Sequence, residues 1–227
     1  MTGIHRFRDR QEAGRLLAKA LSPEAGERPI VLGLPRGGVP VAYEVARALG
    51  APLDVWVVRK IGVPWYPELG LGAVAEGGFV HLSPEIVHAV VISPDDLSEA
   101  TEQQRLEVEE RVRRFRAGRP RPDLRENAVI LIDDGIATGG TVLAAIESIR
   151  AEGPRRLVLG VPVAAPDTIR ELEPKVERAV CLLTPKDLRA IGLWYENFEQ
   201  VSDDEVVRLL ERARWEQSGE AHHAFAQ

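Results

Sequence analysis

The sequence predicts an α/β fold: an open, mostly parallel β-sheet flanked by helices. Two observations carry that expectation. Short apolar runs alternate with segments of helical periodicity along most of the chain, and strands separated by helices pair in parallel with helices covering the faces. The 227 residues, 44% of them hydrophobic, suffice for one large core.

The elements follow in order. Ala13, Leu16, Leu17, Ala20 and Leu21 recur at helical spacing, so Asp9 to Leu21 is expected to be an amphipathic helix. "PIVLGL" reads as a buried strand. "PVAYEVARALG" reads as a helix, with Pro40 in its first turn and Gly50 after its last. "LDVWVV" is expected to be the second strand, and "LGAVAEGGFVHLS" a hairpin turning at Gly77–Gly78. Ser93, Pro94 and Asp96 then open a long helix that stops at Gly118. Its apolar face is thin, and Glu107/Arg111, Glu109/Arg113 and Glu110/Arg114 are spaced for ion pairs. Residues 83–125 therefore read as a mostly solvated helical insertion projecting from the core. The core rhythm resumes with the strand "AVILI", a helix from Thr141 to Glu152, the strand "RLVLGVPV", the short helix "PDTIRELEP" and the strand "AVCLL". A helix from Asp203 to about Trp215 closes the pattern, and residues 217–227 are expected to fray.

Composition narrows the function. The net charge is −6, and no Lys/Arg-rich run stands clear of acids, which disfavours a polynucleotide partner. No apolar run approaches a membrane span. The charged start of the chain and the single Cys181, set in "RAVCLLT", point to a cytoplasmic protein with that cysteine as buried filler.

The chemistry concentrates in "AVILIDDGIATGGTVLAAI", Ala128 to Ile146. A strand runs into Asp133 and Asp134, then into a small-residue loop and a helix start. Ligands of open parallel sheets bind beyond the carboxyl ends of strands. Gly139 and Gly140 let backbone approach a ligand, successive N–H groups can form a nest, and the helix N-terminus adds donors and a positive dipole end. That is an anion site, and Thr138 and Thr141 add hydroxyls. The acids would repel a phosphate, so they face another part of the same ligand. Ionised carboxylates accept hydrogen bonds, which suits ribose hydroxyls. A ribose 5-phosphate satisfies both halves. A P-loop is excluded, since Thr141 stands where its Lys would be and Val142 where its Ser or Thr would be. An aspartyl-phosphate phosphohydrolase is disfavoured because the acids are adjacent. The plainer alternative is a tight strand-to-helix turn with surface acids.

"VILIDDGIATGGT" resembles the ribose-phosphate signature of the type I phosphoribosyltransferases, which use phosphoribosyl pyrophosphate (PRPP). Asp133, Asp134, Ala137, Thr138, Gly139, Gly140 and Thr141 match it without a gap. The resemblance, which extends from about Pro29 to Leu183, implies one phosphoribosyltransferase-like domain over residues 1–227. It assigns Asp133 and Asp134 to the ribose and the reacting carbon, and Ala137–Thr141 to the 5-phosphate. It places a pyrophosphate loop at "PRGG", with Arg36, Gly37 and Gly38, a non-proline cis bond at Pro35–Arg36, and further basic contacts from Arg59 and Lys60 at the end of the second strand. It implies a mobile loop from Ile61 to about Leu82, which here contains no Lys or Arg; Glu68, Glu76 and His81 are its polar candidates. A hood recognising the acceptor is expected at residues 184–200, where Trp194 and Tyr195 could stack on a base or instead pack the C-terminal helix.

The activity so implied is transfer of ribose 5-phosphate from PRPP to a nitrogen acceptor such as a nucleobase, with Mg²⁺ carried by PRPP and no direct protein ligand to the metal. Relatives are often dimers. The competing class is a regulator that senses PRPP without turnover; a phosphorylase or hydrolase acting on a ribosyl phosphate is a third.

Overall fold

A computed structural model describes residues 6–24 and 29–218, apart from the side chains of Pro67 and Glu68. The expected tail at 217–227 therefore lies almost wholly outside the described residues. The helices are α1 (Arg10–Leu21), α2 (Gly38–Leu49), α3 (Pro84–Ala89), α4 (Pro94–Arg116), α5 (Gly140–Ala151), α6 (Pro166–Leu172) and α7 (Asp203–Gln217). The strands are β1 (Pro29–Gly33), β2 (Leu53–Val55), β3 (Val58–Val63), β4 (Tyr66–Ala75), β5 (Phe79–Leu82), β6 (Ala128–Ile132), β7 (Arg156–Val163) and β8 (Arg178–Leu183).

The main sheet is five-stranded and parallel, in the order β2-β1-β6-β7-β8. Its inner strands are apolar throughout because both faces are covered. Val31, Ile130 and Ile132 join Leu17, Val45 and Leu210 in a core with α1, α2 and α7. Their alternate neighbours, Leu32, Val129 and Leu131, join Val142, Ile146 and Ile149 of α5. From β1 the sheet grows outward through β2 on one side and through β6 to β8 on the other. The switch point of an open α/β sheet, where ligand crevices form, thus lies between β1 and β6. Half-buried Cys181 on β8 is filler, its thiol pushed up to about 11 by burial.

Two expectations need correction. "LDVWVV" is not one strand: β2 ends at Val55 and β3 begins at Val58 in a separate antiparallel sheet, β3-β4-β5. The chain leaves the main sheet there because Trp56 turns into the α5 core, its indole N–H donating to Ser148 Oγ at 2.8 Å. The segment expected as a mobile loop is consequently mostly strand, with Trp65 and Tyr66 exposed where β3 turns into β4.

The insertion does not project. Helix α4 lies on the second sheet, with Val108 and Phe115 buried and Leu97, Ala100 and Val112 packed beside them. This stripe is thin but continuous at helical spacing. Two of the spaced residues pair across the fold instead, Glu107 with Arg59 at 2.6 Å and Arg114 with Asp203 at 2.8 Å, while Glu109 pairs with Arg105 inside the helix. At its end Arg116, 3% exposed, reaches Asp54 at 3.1 Å, the Val55 carbonyl at 3.0 Å and Glu76 at 2.9 Å.

Candidate active site

Strands β1 and β6 end in register, Gly33 beside Ile132, and the Leu34 N–H still donates to the Ile132 carbonyl at 2.9 Å. The two loops that follow are therefore packed together. A Cβ on Gly37 would lie 2.0 Å from Asp134 Oδ2, and one on Gly38 would lie 2.7 Å from the Ile132 carbonyl oxygen. Both positions demand glycine for close approach rather than for backbone conformation. The Pro35–Arg36 bond is cis. Gly37→Ala is expected to push the acid pair aside, destabilise by about 1–3 kcal/mol as overpacking does, and weaken anion binding more than it affects folding. Thermal melts beside phosphate-ligand titrations check this.

The loop after β6 is pinned from outside and open within. Ile136 N–H donates to the Val163 carbonyl, Ala165 N–H to the Ile136 carbonyl, and Thr168 Oγ1 to the Ala137 carbonyl at 2.7 Å. Gly139, at φ 77°, caps α5 in a conformation that favours glycine. Among the described residues, no group accepts from the N–H groups of Ala137, Thr138, Gly139, Gly140, Thr141 or Val142. Consecutive unpaired donors at a helix N-terminus form an anion cradle.

The two acids differ. Asp133 Oδ1 accepts the Asp134 N–H at 2.9 Å, its carboxyl meets that of Asp134, and among the described residues no basic side chain touches it. Burial, and then the charge of Asp134, raise its carboxyl well above the ordinary range. Asp134 is also raised by burial, but Arg10 opposes the shift. Arg10 Nε and Nη2 each lie 2.8 Å from Asp134 Oδ2, and Tyr195 donates to the Asp134 carbonyl at 2.6 Å.

Residues 8–193 match the model of the phosphoribosyl transferase domain. The chain belongs to that family. A Mycobacterium tuberculosis protein described as a "putative phosphoribosyl transferase" is 46% identical over 207 residues, covering 91% of this chain and 47% of its own length. The chain thus spans about half the length of the curated relatives it matches. The crystal structure of TT1426 from Thermus thermophilus superposes with a TM-score of 0.80 at 45% identity, covering 91% of this chain and 98% of that one.

Within this phosphoribosyltransferase domain, the expected site residues are only partly brought together. Asp133, Asp134, Ala137–Thr141 and the Gly37–Gly38 turn converge. Arg36 lies beside them, but its guanidinium faces Asp203 at the start of α7, 3.7 Å away. Arg59 and Lys60 separate, because neighbouring strand residues point to opposite faces. Arg59 is held by Glu107 on the α4 side. Lys60 is exposed and shares the other face with Ala73 and His81, the face that packs on α5. Among the polar candidates, Glu76 is buried in the ion cluster with Arg116 and His81 pairs with Glu147 at 2.6 Å. Glu68's side chain lies outside the described residues.

In the hood, Trp194 and Tyr195 pack inward. Tyr195 is 2% exposed, packed between Phe7 and Phe198, so it has no open face for a base. Trp194 packs against the same small cluster and hydrogen-bonds through its carbonyl to the Phe7 N–H. Residues 184–200 thus bind the start of the chain to the site, and Ile191 closes on Gly135. Arg10 was missed in sequence. Its signal was a charged residue on the stripe shared by Ala13, Gly14, Leu17 and Leu21, the buried side of α1.

Proposed function

We propose that the chain is a phosphoribosyltransferase that moves ribose 5-phosphate from PRPP to a nitrogen acceptor, a nucleobase or a related heterocycle. The observation that carries this reading is the juxtaposition of an unpaired backbone cradle at 137–142 with an acid pair and a second glycine turn at 36–38. One end suits a phosphate monoester, the middle a diol, and the other end a second phosphate group. In the reaction the bond from C1 of ribose to the pyrophosphate oxygen breaks, and pyrophosphate leaves with the electron pair. A bond from C1 to nitrogen forms, and the nitrogen loses its proton.

The cradle fixes the 5-phosphate, and that remote binding energy places C1. The carboxylate of Asp133 accepts from the ribose hydroxyls and favours the positive charge that grows on the sugar, an electrostatic effect set before the reaction begins. Arg36 is positioned to exchange its long contact with Asp203 for the departing pyrophosphate. The donors here are all oxygen, carboxylate and threonine hydroxyl, which suits a Mg²⁺ carried by the substrate phosphates. When bound, that ion supplies neutralising charge at the leaving group.

The test is calorimetric titration of PRPP with and without Mg²⁺, followed by a pyrophosphate-release screen over nucleobases. Binding with release for one base is the expected outcome. Thr138→Ala is expected to weaken PRPP about tenfold or more, the scale of a lost hydrogen bond to a charged group. Binding without release for any base would favour PRPP sensing, the reading to which the burial of Tyr195 lends weight. Absence of PRPP binding would refute both.

A further inference from the structure

We infer that Arg10 is a positioning residue that withholds Asp134 from the ribose diol, leaving Asp133 as the carboxylate that takes it. The inference rests on the PRPP reading above and divides the labour of an acid pair that sequence alone treats as equivalent.

Asp134 is enclosed by fixed partners. The fork of Arg10 places Nε and Nη2 at 2.8 Å from Oδ2, and the Cα of Gly37 is packed so close to that oxygen that no Cβ fits. Its backbone carbonyl is taken by Tyr195. Arg10 is equally fixed. It is 9% exposed, its Nη1 donates to the Glu199 carbonyl at 2.8 Å, and its guanidinium carbon sits 3.8 Å from the centre of the Phe198 ring. A guanidinium held by a carboxylate, a carbonyl and an aromatic face is a strut, because its planar fork is preorganised for all of them at once. It ties α1 and residues 196–199 to the loop after β6. Among the described residues no cation touches Asp133, one residue earlier, whose Oδ1 lies beside the Gly38 turn and accepts the Asp134 N–H.

A merely structural Arg10 would hold the hood and nothing more. The positioning role makes a further claim, because the charge of Arg10 bears on the state of the pair. Among the described residues, the charged or titratable groups facing Asp134 are Arg10 from α1, Asp133 from its own loop and Tyr195 from the hood; from the glycine turn Gly37 packs on Asp134, while Arg36 turns its guanidinium to Asp203. Arg10 opposes the upward shift of Asp134 through contact and charge, and its charge also opposes that of Asp133. Without Arg10 the pair takes protons more readily, and the acid limb of PRPP binding moves to higher pH.

The experiment compares Arg10→Gln, Arg10→Lys, Asp133→Asn, Asp134→Asn and the double variant Arg10→Gln/Asp134→Asn. The readouts are PRPP affinity and the KM-against-kcat split across pH, with thermal stability alongside. Arg10→Gln is expected to weaken PRPP about tenfold or more and to displace the acid limb upward. Arg10→Lys restores the position of the limb but not the full affinity. Asp134→Asn keeps most of the affinity that Asp133→Asn loses. Equal losses in the two Asn variants would show both acids on the diol and overturn the inference, as would an unmoved acid limb in Arg10→Gln. If the unmodified protein does not bind PRPP, the functional reading fails and takes the diol assignment with it. The clamp then stands or falls on the stability cycle: recovery in the double variant supports it, and additive losses reject it.

Discussion

Asp133→Asn is expected to lower turnover by a factor on the order of 10²–10³, the scale of removing one preorganised electrostatic contact, while raising the melting temperature of the ligand-free protein near neutral pH. The two effects have one cause. Asp133 is the acid whose anion the folded protein least tolerates, through burial first and the charge of Asp134 second. Its folded-state pKa lies above its unfolded value of roughly 3.9. Such a group contributes stability that is fully present below the unfolded value and is lost as pH rises through the folded one. Asparagine cannot ionise, so the variant escapes that loss. Its advantage is expected to grow as pH rises from about 4 to neutral, at about 2–4 °C for each kcal/mol relieved in a chain of this size. Melts across that pH range, paired with pyrophosphate-release rates, check both halves. A variant less stable than the parent at neutral pH would show that the Asp133 anion costs the folded protein nothing.

The largest expected loss of stability lies far along the chain from the phosphate loop, at Arg116. This guanidinium is buried between Asp54 and Glu76, and Glu76 also accepts the Val57 N–H at 3.2 Å. Arg116→Ala leaves two buried carboxylates without the cation that binds them, which costs about 3–5 kcal/mol. Burial raises both acids and Arg116 opposes the rise. Their protonation at low pH therefore removes the uncompensated charge, and the deficit of the variant is expected to shrink as pH falls. Replacing Asp54, Glu76 and Arg116 together by apolar residues of similar volume is expected to recover most of the loss. A constant deficit at all pH values would show that lost packing of the arginine stem, not charge, sets the cost.

Both expectations depend on what the sequence displays unevenly. The parallel sheet and its helices were legible because each inner strand is an uninterrupted apolar run, the main helices carry apolar stripes, and three of them carry side-chain caps. Asp9 caps α1, Ser93 caps α4 and Ser202 caps α7 through their side chains. The segment Asp133–Thr141 was legible for the same reason: its residues are consecutive, so their spacing is visible without the fold. The break between β2 and β3 was not, because "LDVWVV" is equally apolar whether it continues or turns. What turns it is Trp56, whose partner Ser148 lies 92 residues away.

The sequence by itself therefore determined the fold class, the order of the core elements and the loop of small residues that follows the acid pair, since these follow from local periodicity and from contiguous residues. Tertiary structure alone decided which charges meet. It sent Arg59 to Glu107, Arg116 to Asp54 and Glu76, and Arg10 to Asp134, and it buried Tyr195 beneath the acid it supports. Ion pairs between distant residues leave no periodic trace. Their partners are selected by which helix crosses which strand end, and in a buried setting that choice governs whether a charge is stable at all.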